Sequence, residues 1–204
     1  MGYELAYECW GQLAPRADNA VLVCTGLSAS SHLCSHEGNP EPGWWEGVVG
    51  PGAAIDTERW FVICVNVLGG CHGSTGPSTM DPGSGKAYGS SFPLLSVWDF
   101  VATQRSLLDE LGIARVDTVL GASMGGMQAL AFAAAYPEGC RRLIAISAPG
   151  RSYPLSISLR FVQRQALMRD PDWQGGAYHP GVGPRRGLHL ARQNGTAVLP
   201  AKVA

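Results

Sequence analysis

Ser123 stands in Gly121-Ala122-Ser123-Met124-Gly125-Gly126-Met127, where the apolar run Val119-Leu120 breaks and an Ala/Leu-rich stretch begins. A serine hydroxyl attacks a carbonyl carbon when a sharp turn lifts it clear of a sheet and a base takes its proton. The spacing meets the first requirement. Gly121 and Gly125 leave room where a Cβ would collide with the adjoining strand or helix, so the chain can close tightly around Ser123. Met124 then falls at the start of a helix. An N–H there has no partner within the helix and the dipole favours negative charge, so it is expected to serve an oxyanion. Together these residues predict a nucleophile elbow and acyl chemistry.

A second oxyanion donor is expected from Thr25-Gly26-Leu27-Ser28-Ala29-Ser30-Ser31-His32, a small-residue loop after the continuous apolar run Asn19–Cys24. In an α/β-hydrolase arrangement that loop leaves the carboxyl end of a central strand, and the N–H of Leu27, or alternatively of Ser28, faces the elbow. A solvated serine-rich linker is the competing reading of the same composition. Farther on, Arg160 and Arg164 lie four apart on a helix expected over 156–168. The guanidinium fork suits a carboxylate or phosphate, against the alternative of a solvated helix face.

The elements that must position these groups follow a simple rhythm. Strands are expected at Tyr3–Trp10, Asn19–Cys24, Trp60–Asn66, Arg115–Leu120 and Arg142–Ser147. Helices are expected from Ser96 to Gly112, with Ser96 and Asp99 forming the cap, and over Gln128–Tyr136 up to Pro137. A further short helix is expected at Pro184–Gln193. Strand alternating with helix predicts a mostly parallel sheet with helices on both faces. The adjacent Trp44 and Trp45 are expected in core or pocket wall. Gly83-Ser84-Gly85-Lys86-Ala87 is no phosphate loop, because Met80 occupies the position of the first glycine and Ala87 that of the Ser/Thr.

The 204 residues, 46% hydrophobic and 15% charged with a net charge of −1, describe a globular chain with a substantial core. No basic patch points to nucleic acid, and no apolar run has spanning length. The start lacks a signal pattern, so the cytoplasm is the expected compartment. Six cysteines, at 9, 24, 34, 64, 71 and 140, form no C-x-x-C pair and are expected reduced and mostly structural. No metal is expected. The nearest approach to a ligand set is Cys34 with His32 and His36, which lacks a second ligand pair at suitable spacing.

With these segments assembled, the chain resembles the homoserine O-acetyltransferase family of α/β-hydrolase-fold acyltransferases from about Tyr3 to about Arg192. Gly43-Trp44-Trp45, Gly50-Pro51-Gly52, Asn66-Val67-Leu68-Gly69-Gly70-Cys71, Ser123-Met124-Gly125-Gly126-Met127-Gln128, Arg164-Gln165-Ala166 and Asp170-Pro171-Asp172-Trp173 carry the likeness. The loop Leu27–His32 looks more like the serine O-succinyltransferase branch. The resemblance implies ping-pong transfer of an acyl group from acetyl- or succinyl-CoA to the hydroxyl of L-homoserine or L-serine, in methionine or cysteine biosynthesis. It implies Ser123 as nucleophile, Met124 and the Leu27 region as oxyanion donors, and Arg164 as ligand of the amino-acid carboxylate. It implies acyl-CoA as co-substrate without a bound cofactor or metal, and a homodimer formed through lid helices.

The same resemblance divides the chain into a hydrolase core over 1–150 and a partial helical lid over 151–204, whose last residues from Ala197 diverge. The fold is then incomplete, its last strands absent and a sheet edge left uncovered. The triad acid and base follow the nucleophile in this fold, and 204 − 123 = 81 residues remain after Ser123. His179, His189, Asp170 and Asp172 match lid positions rather than triad positions. Two alternatives stay open: a catalytically silent relative or binding partner, and an α/β-hydrolase esterase that uses water as acceptor.

Overall fold

The computed structural model describes residues 2–178 and 181–197. It divides into two units, one of residues up to 87 together with 92–150, the other of 88–91 together with the residues from 151 onward.

In the first unit the strands are β1 (Tyr7–Trp10), β2 (Ala20–Cys24), β3 (Phe61–Val65), β4 (Val116–Ala122) and β5 (Cys140–Ile146). They hydrogen-bond in the order β1-β3-β2-β4-β5, with β1 antiparallel to β3 and the others parallel. The first strand is shorter than Tyr3–Trp10 because the Glu4 and Ala6 N–H groups donate to the hydroxyls of Thr75 and Ser74, at 2.8 and 3.0 Å, rather than to a ladder. β2 is buried throughout. Its unbroken apolar run is what a strand covered on both faces requires.

Alternate residues of the sheet feed two cores. Ala20, Leu22, Cys24, Ile63 and Val65 pack with Val101, Leu107 and Leu108 of α1 (Val97–Glu110) and with Ala129 and Phe132 of α2 (Met124–Ala135). Val21, Val23, Val62, Cys64 and Leu120 pack instead with Trp10, Leu33 and Val49, flanked by Trp45 and Trp60. The expected mostly parallel sheet with helices is present, but helices on both faces are not seen among the described residues: α1 and α2 share one core, and the irregular segment 33–60 supplies the other. Trp45 flanks that second core, whereas Trp44 is 37% exposed and is not core.

Asp99 accepts the Ser96 N–H at 2.7 Å at the start of α1, and Gly112, at φ 71°, follows its end. α2 begins four residues before the expected Gln128, because the elbow itself supplies the first turn. Among the described residues β5 lies at the sheet edge and pairs only with β4. Beyond Cys140 its residues are exposed, with Leu143, Ile144 and Ile146 between 40% and 46% accessible. This is the uncovered sheet edge that the family resemblance implied.

The second unit contains α3 (Pro154–Met168) and α4 (Arg185–Ala197), which pack on each other. Asp170 fastens the connection: its carboxylate accepts N–H groups from Asp172 at 3.0 Å and Gly187 at 2.6 Å. Those bonds, from Gly187 and then Asp172, hold the Asp170 carboxyl below its usual range. Gly187 packs so closely on the Ala166 carbonyl that no side chain would fit there.

Candidate active site

β4 delivers Ser123 to the carboxyl end of the sheet. Ser123 has φ 55° and ψ −122°, a left-handed conformation for a residue with a side chain, and it is exposed. Such backbone strain costs about 1–3 kcal/mol and persists only where the surroundings over-determine it. Here they do. The Ser123 N–H donates to Ile146 O of β5 at 3.0 Å, and its carbonyl accepts Met127 N–H at 3.1 Å. A Cβ at Gly121 would strike the Gly125 backbone, one at Gly125 would strike the Cys24 carbonyl, and one at Gly126 would meet the Ala148 side chain. Glycine is therefore required sterically at all three positions around the serine.

The expected oxyanion donors lie on the two elements that converge there. Met124 is the first residue of α2, where its N–H has no acceptor within the helix. Cys24 pairs in register with Gly121, so the loop after β2 and the turn after β4 leave the sheet side by side. Leu27 and Ser28 lie on that loop, both exposed. Ser123, Met124 and the Leu27–Ser28 loop thus lie at one end of the sheet of the first unit, while Arg164 is exposed on α3 of the second.

Buried amides hold the loop, a feature not read from the sequence. Gln128 donates to the Thr25 carbonyl at 2.9 Å and accepts from Gln104 at 2.7 Å. Both glutamines are essentially inaccessible, so the relay fixes the peptide that opens the loop. At the far end, the Asn66 side chain accepts the Ser31 N–H at 2.6 Å and donates to the Ser31 hydroxyl at 3.0 Å. Trp44 donates its indole N–H to the Ser30 carbonyl at 2.8 Å, which explains a tryptophan outside the core. Gln128 stands in the quoted signature, but its partner across the sheet end is set by topology.

The cysteines of β1 and β2 are poor nucleophiles. Burial pushes the Cys24 thiol up to about 12 and the Cys9 thiol up to about 11. All six cysteines are free thiols. Among the described residues no histidine hydrogen-bonds Ser123. His189 is exposed and shares a 3.0 Å contact with Gln193, Asp170 is spent on the fastening between α3 and α4, and His179 lies outside the described residues.

One group of donor atoms compares with a metal site: Glu8, His32 and His36, whose ligand-capable atoms lie within 4.8 Å of one another. Glu8 of β1, not Cys34, is the third member. His32 Nε2 donates to the Glu41 carbonyl at 2.7 Å, and His36 Nδ1 accepts the Gly38 N–H at 3.2 Å, which places the proton of His36 on Nε2, 3.1 Å from Glu8. His36 thus points a proton at the carboxylate, His32 does so when its Nδ1 carries one, and the group is a hydrogen-bonded cluster. An apolar hollow of about 310 Å³ lined by Tyr3, Leu68, Phe92, Leu95 and Thr103 contains none of the elbow residues.

A strained serine at a glycine-lined strand-to-helix turn is matched by a family model described as the alpha/beta hydrolase fold, over residues 19–204. The chain belongs to that family. It is 52% identical over 194 residues to a serine O-succinyltransferase of Emericella nidulans, a match covering 95% of this chain and 38% of the relative. Among solved structures, a homoserine O-acetyltransferase from Bacillus anthracis superposes with a TM-score of 0.89 at 33% identity, over 96% of this chain and 54% of that one. Esterase E22 superposes with a TM-score of 0.88 at 34% identity, over 96% and 55%. The likeness to homoserine and serine O-acyltransferases read from the motifs is thus matched in relatives of both names. The chain spans about two-fifths of the first of these relatives and just over half of the two superposed structures. Among the described residues no helix is long and apolar enough to cross a membrane.

Proposed function

We propose that this chain carries the nucleophile and oxyanion half of an O-acyltransferase acting between an acyl-CoA and the hydroxyl of L-serine or L-homoserine. In the first half-reaction the Ser123 oxygen attacks the thioester carbonyl, the C–S bond breaks, CoA leaves as thiol with the serine proton, and an acyl-Ser123 ester remains. In the second, the acceptor hydroxyl attacks that ester, its proton returns to Ser123, and the O-acyl amino acid leaves. The N–H groups of Met124 and of Leu27 or Ser28 would bear the oxyanion of each tetrahedral intermediate. Arg164 would take the acceptor's carboxylate through its two-pronged donor geometry. The single observation carrying this reading is the left-handed, exposed Ser123 at the N-terminus of α2, held between three sterically required glycines. The transferase names of the relatives support an acyl acceptor over water.

Intact-mass spectrometry after mixing with acetyl-CoA and, separately, with succinyl-CoA tests it. A mass gain equal to one acyl group in the wild type and absent in Ser123→Ala is expected, and the effective donor names the acyl group. No gain with either donor, or an equal gain in Ser123→Ala, overturns the proposal. Esterase E22, superposing as closely as the transferase, motivates the second reading. If the acyl-Ser123 ester decays at the same rate with and without added serine or homoserine, water is the acceptor.

A further inference from the structure

We propose that Glu8, His32 and His36 form a proton-held clamp on the loop 25–32, with His32 as the positioning residue whose protonation decides whether the His32 end of the loop is tied to β1. The catalytic consequence rests on the acyl-transfer reading above; the clamp itself does not.

The loop is pinned at Thr25 by Gln128, and at Ser30 and Ser31 by Trp44 and Asn66. His32 forms its last anchor. The His32 Nε2–H is committed to the Glu41 carbonyl, so everything else depends on Nδ1. Two partners face that atom: Glu8 Oε2 at 2.8 Å and the Asn39 side-chain nitrogen at 3.2 Å. They make opposite demands. A protonated Nδ1 donates to the carboxylate, a short charge-assisted bond. A bare Nδ1 sets its lone pair against the carboxylate oxygen and can only accept from the Asn39 amide. One proton therefore exchanges β1 for a neighbouring loop residue as the partner of His32.

The surroundings favour the proton. His36 donates to the same Glu8 oxygen at 3.1 Å, and Ser31 donates to the other at 3.3 Å, which hold the carboxylate in place and charged. Burial alone would raise the Glu8 carboxyl, but the bonds from His32 and His36 outweigh it and leave it lowered. The bond to the Glu41 carbonyl, followed by that to Glu8, raises His32, against a smaller opposing effect of burial. Glu46, bonded to Ser35 and Gly43, adds negative field. The thiols of Cys9, Cys34 and Cys64 are raised, chiefly by burial, and stay uncharged near neutrality. Because the folded value of His32 lies above the ordinary one, the clamp is complete below about pH 6.5 and is lost as pH rises through the raised value.

The test uses the whole chain, labelled with ¹⁵N, between about pH 5.5 and pH 9. Histidine ring spectra report the protonation of His32, and amide exchange of residues 26–31, corrected for intrinsic rates, reports the loop. The expected result is a His32 midpoint above the ordinary imidazole value of about 6.5, with protection of 26–31 falling about tenfold through that midpoint. In Glu8→Gln the midpoint drops below its wild-type value and the step in protection vanishes. Asn39→Leu removes the competing partner and moves the midpoint upward, which keeps the proposal testable if Glu8→Gln does not fold. A His32 ring neutral at pH 6, or protection flat across its midpoint, overturns the clamp. So do ring shifts that follow added zinc chloride and reverse with a chelator, which would make the cluster a metal site. No readout uses Ser123, so failure of the acyl-transfer reading leaves this result independent.

Discussion

β4 and β5 are neighbours of equal length, seven residues each, yet one is buried almost throughout and the other only at its first residue. Hydropathy does not separate them: Leu143-Ile144-Ala145-Ile146 is as apolar a run as β4 contains. Their neighbours do. α2 packs against both, but β4 has β2 on one side and β5 on the other, whereas among the described residues β5 is paired on one side only. An apolar run thus qualifies a segment for the middle of a sheet, and the adjoining elements decide whether its side chains leave water. The two strands are nevertheless coupled at the site, because the last carbonyl of the exposed strand holds the N–H of Ser123 at the end of the buried one.

That contrast can be broken most forcefully at the glycines. Gly125→Ala drives a Cβ into the Cys24 carbonyl where two buried elements cross, and is expected to destabilise by about 3 kcal/mol or more in urea unfolding, or to abolish folding. Gly150→Ala, just past the exposed strand, meets nothing within 4 Å and is expected to stay within about 1 kcal/mol of wild type. Comparable losses at both positions would mean that the region beyond β5 is packed as tightly as the elbow.

A milder comparison truncates side chains. Val119→Ala, in the inaccessible middle of β4, is expected to cost about 2 kcal/mol through lost burial and the cavity left behind. Leu143→Ala, 40% exposed on β5, is expected to cost under about 1 kcal/mol by the same measurement. The order of the two values carries the test, and reversal would refute the assignment of β5 as an uncovered edge. The smallest thermodynamic effect is expected from Ile144→Lys, which places a charge on that edge. Its melting midpoint should remain within about 3 °C of wild type. Its light scattering at high concentration should fall, since charge on an exposed strand opposes edge-to-edge pairing. Unchanged scattering would show that the apolar residues of β5 do not drive association.

Much of this molecule was legible before any fold was known, and the misses have physical causes. Ser123, Gly121 and Gly125 were readable because a sharp strand-to-helix turn is a local steric problem with few solutions. β2 and β3 were readable as short continuous apolar runs, and α1 by its capping pair and apolar period. The boundaries of β1 and α2 were misjudged where side-chain hydroxyls, or the elbow itself, took over backbone groups assigned to other partners. Of the two places offered for Trp44, core or pocket wall, the core is ruled out, since its indole N–H reaches the Ser30 carbonyl and the ring stays 37% exposed. The third member of the His32–His36 group was sought nearby, at Cys34, and lies instead on another strand.

What the amino-acid sequence determined by itself was therefore the set of elements and the chemistry of the elbow, since both depend on residues within a few positions of one another. Only the tertiary structure decided which loops are held and by what. Glu8 reaches His32 across 24 positions, and Gln128 reaches Thr25 across 103. Those pairs exist because the sheet order puts β3 between β1 and β2, and β2 beside β4. Strand order is a property of how buried surfaces share a core, and no local spacing encodes it.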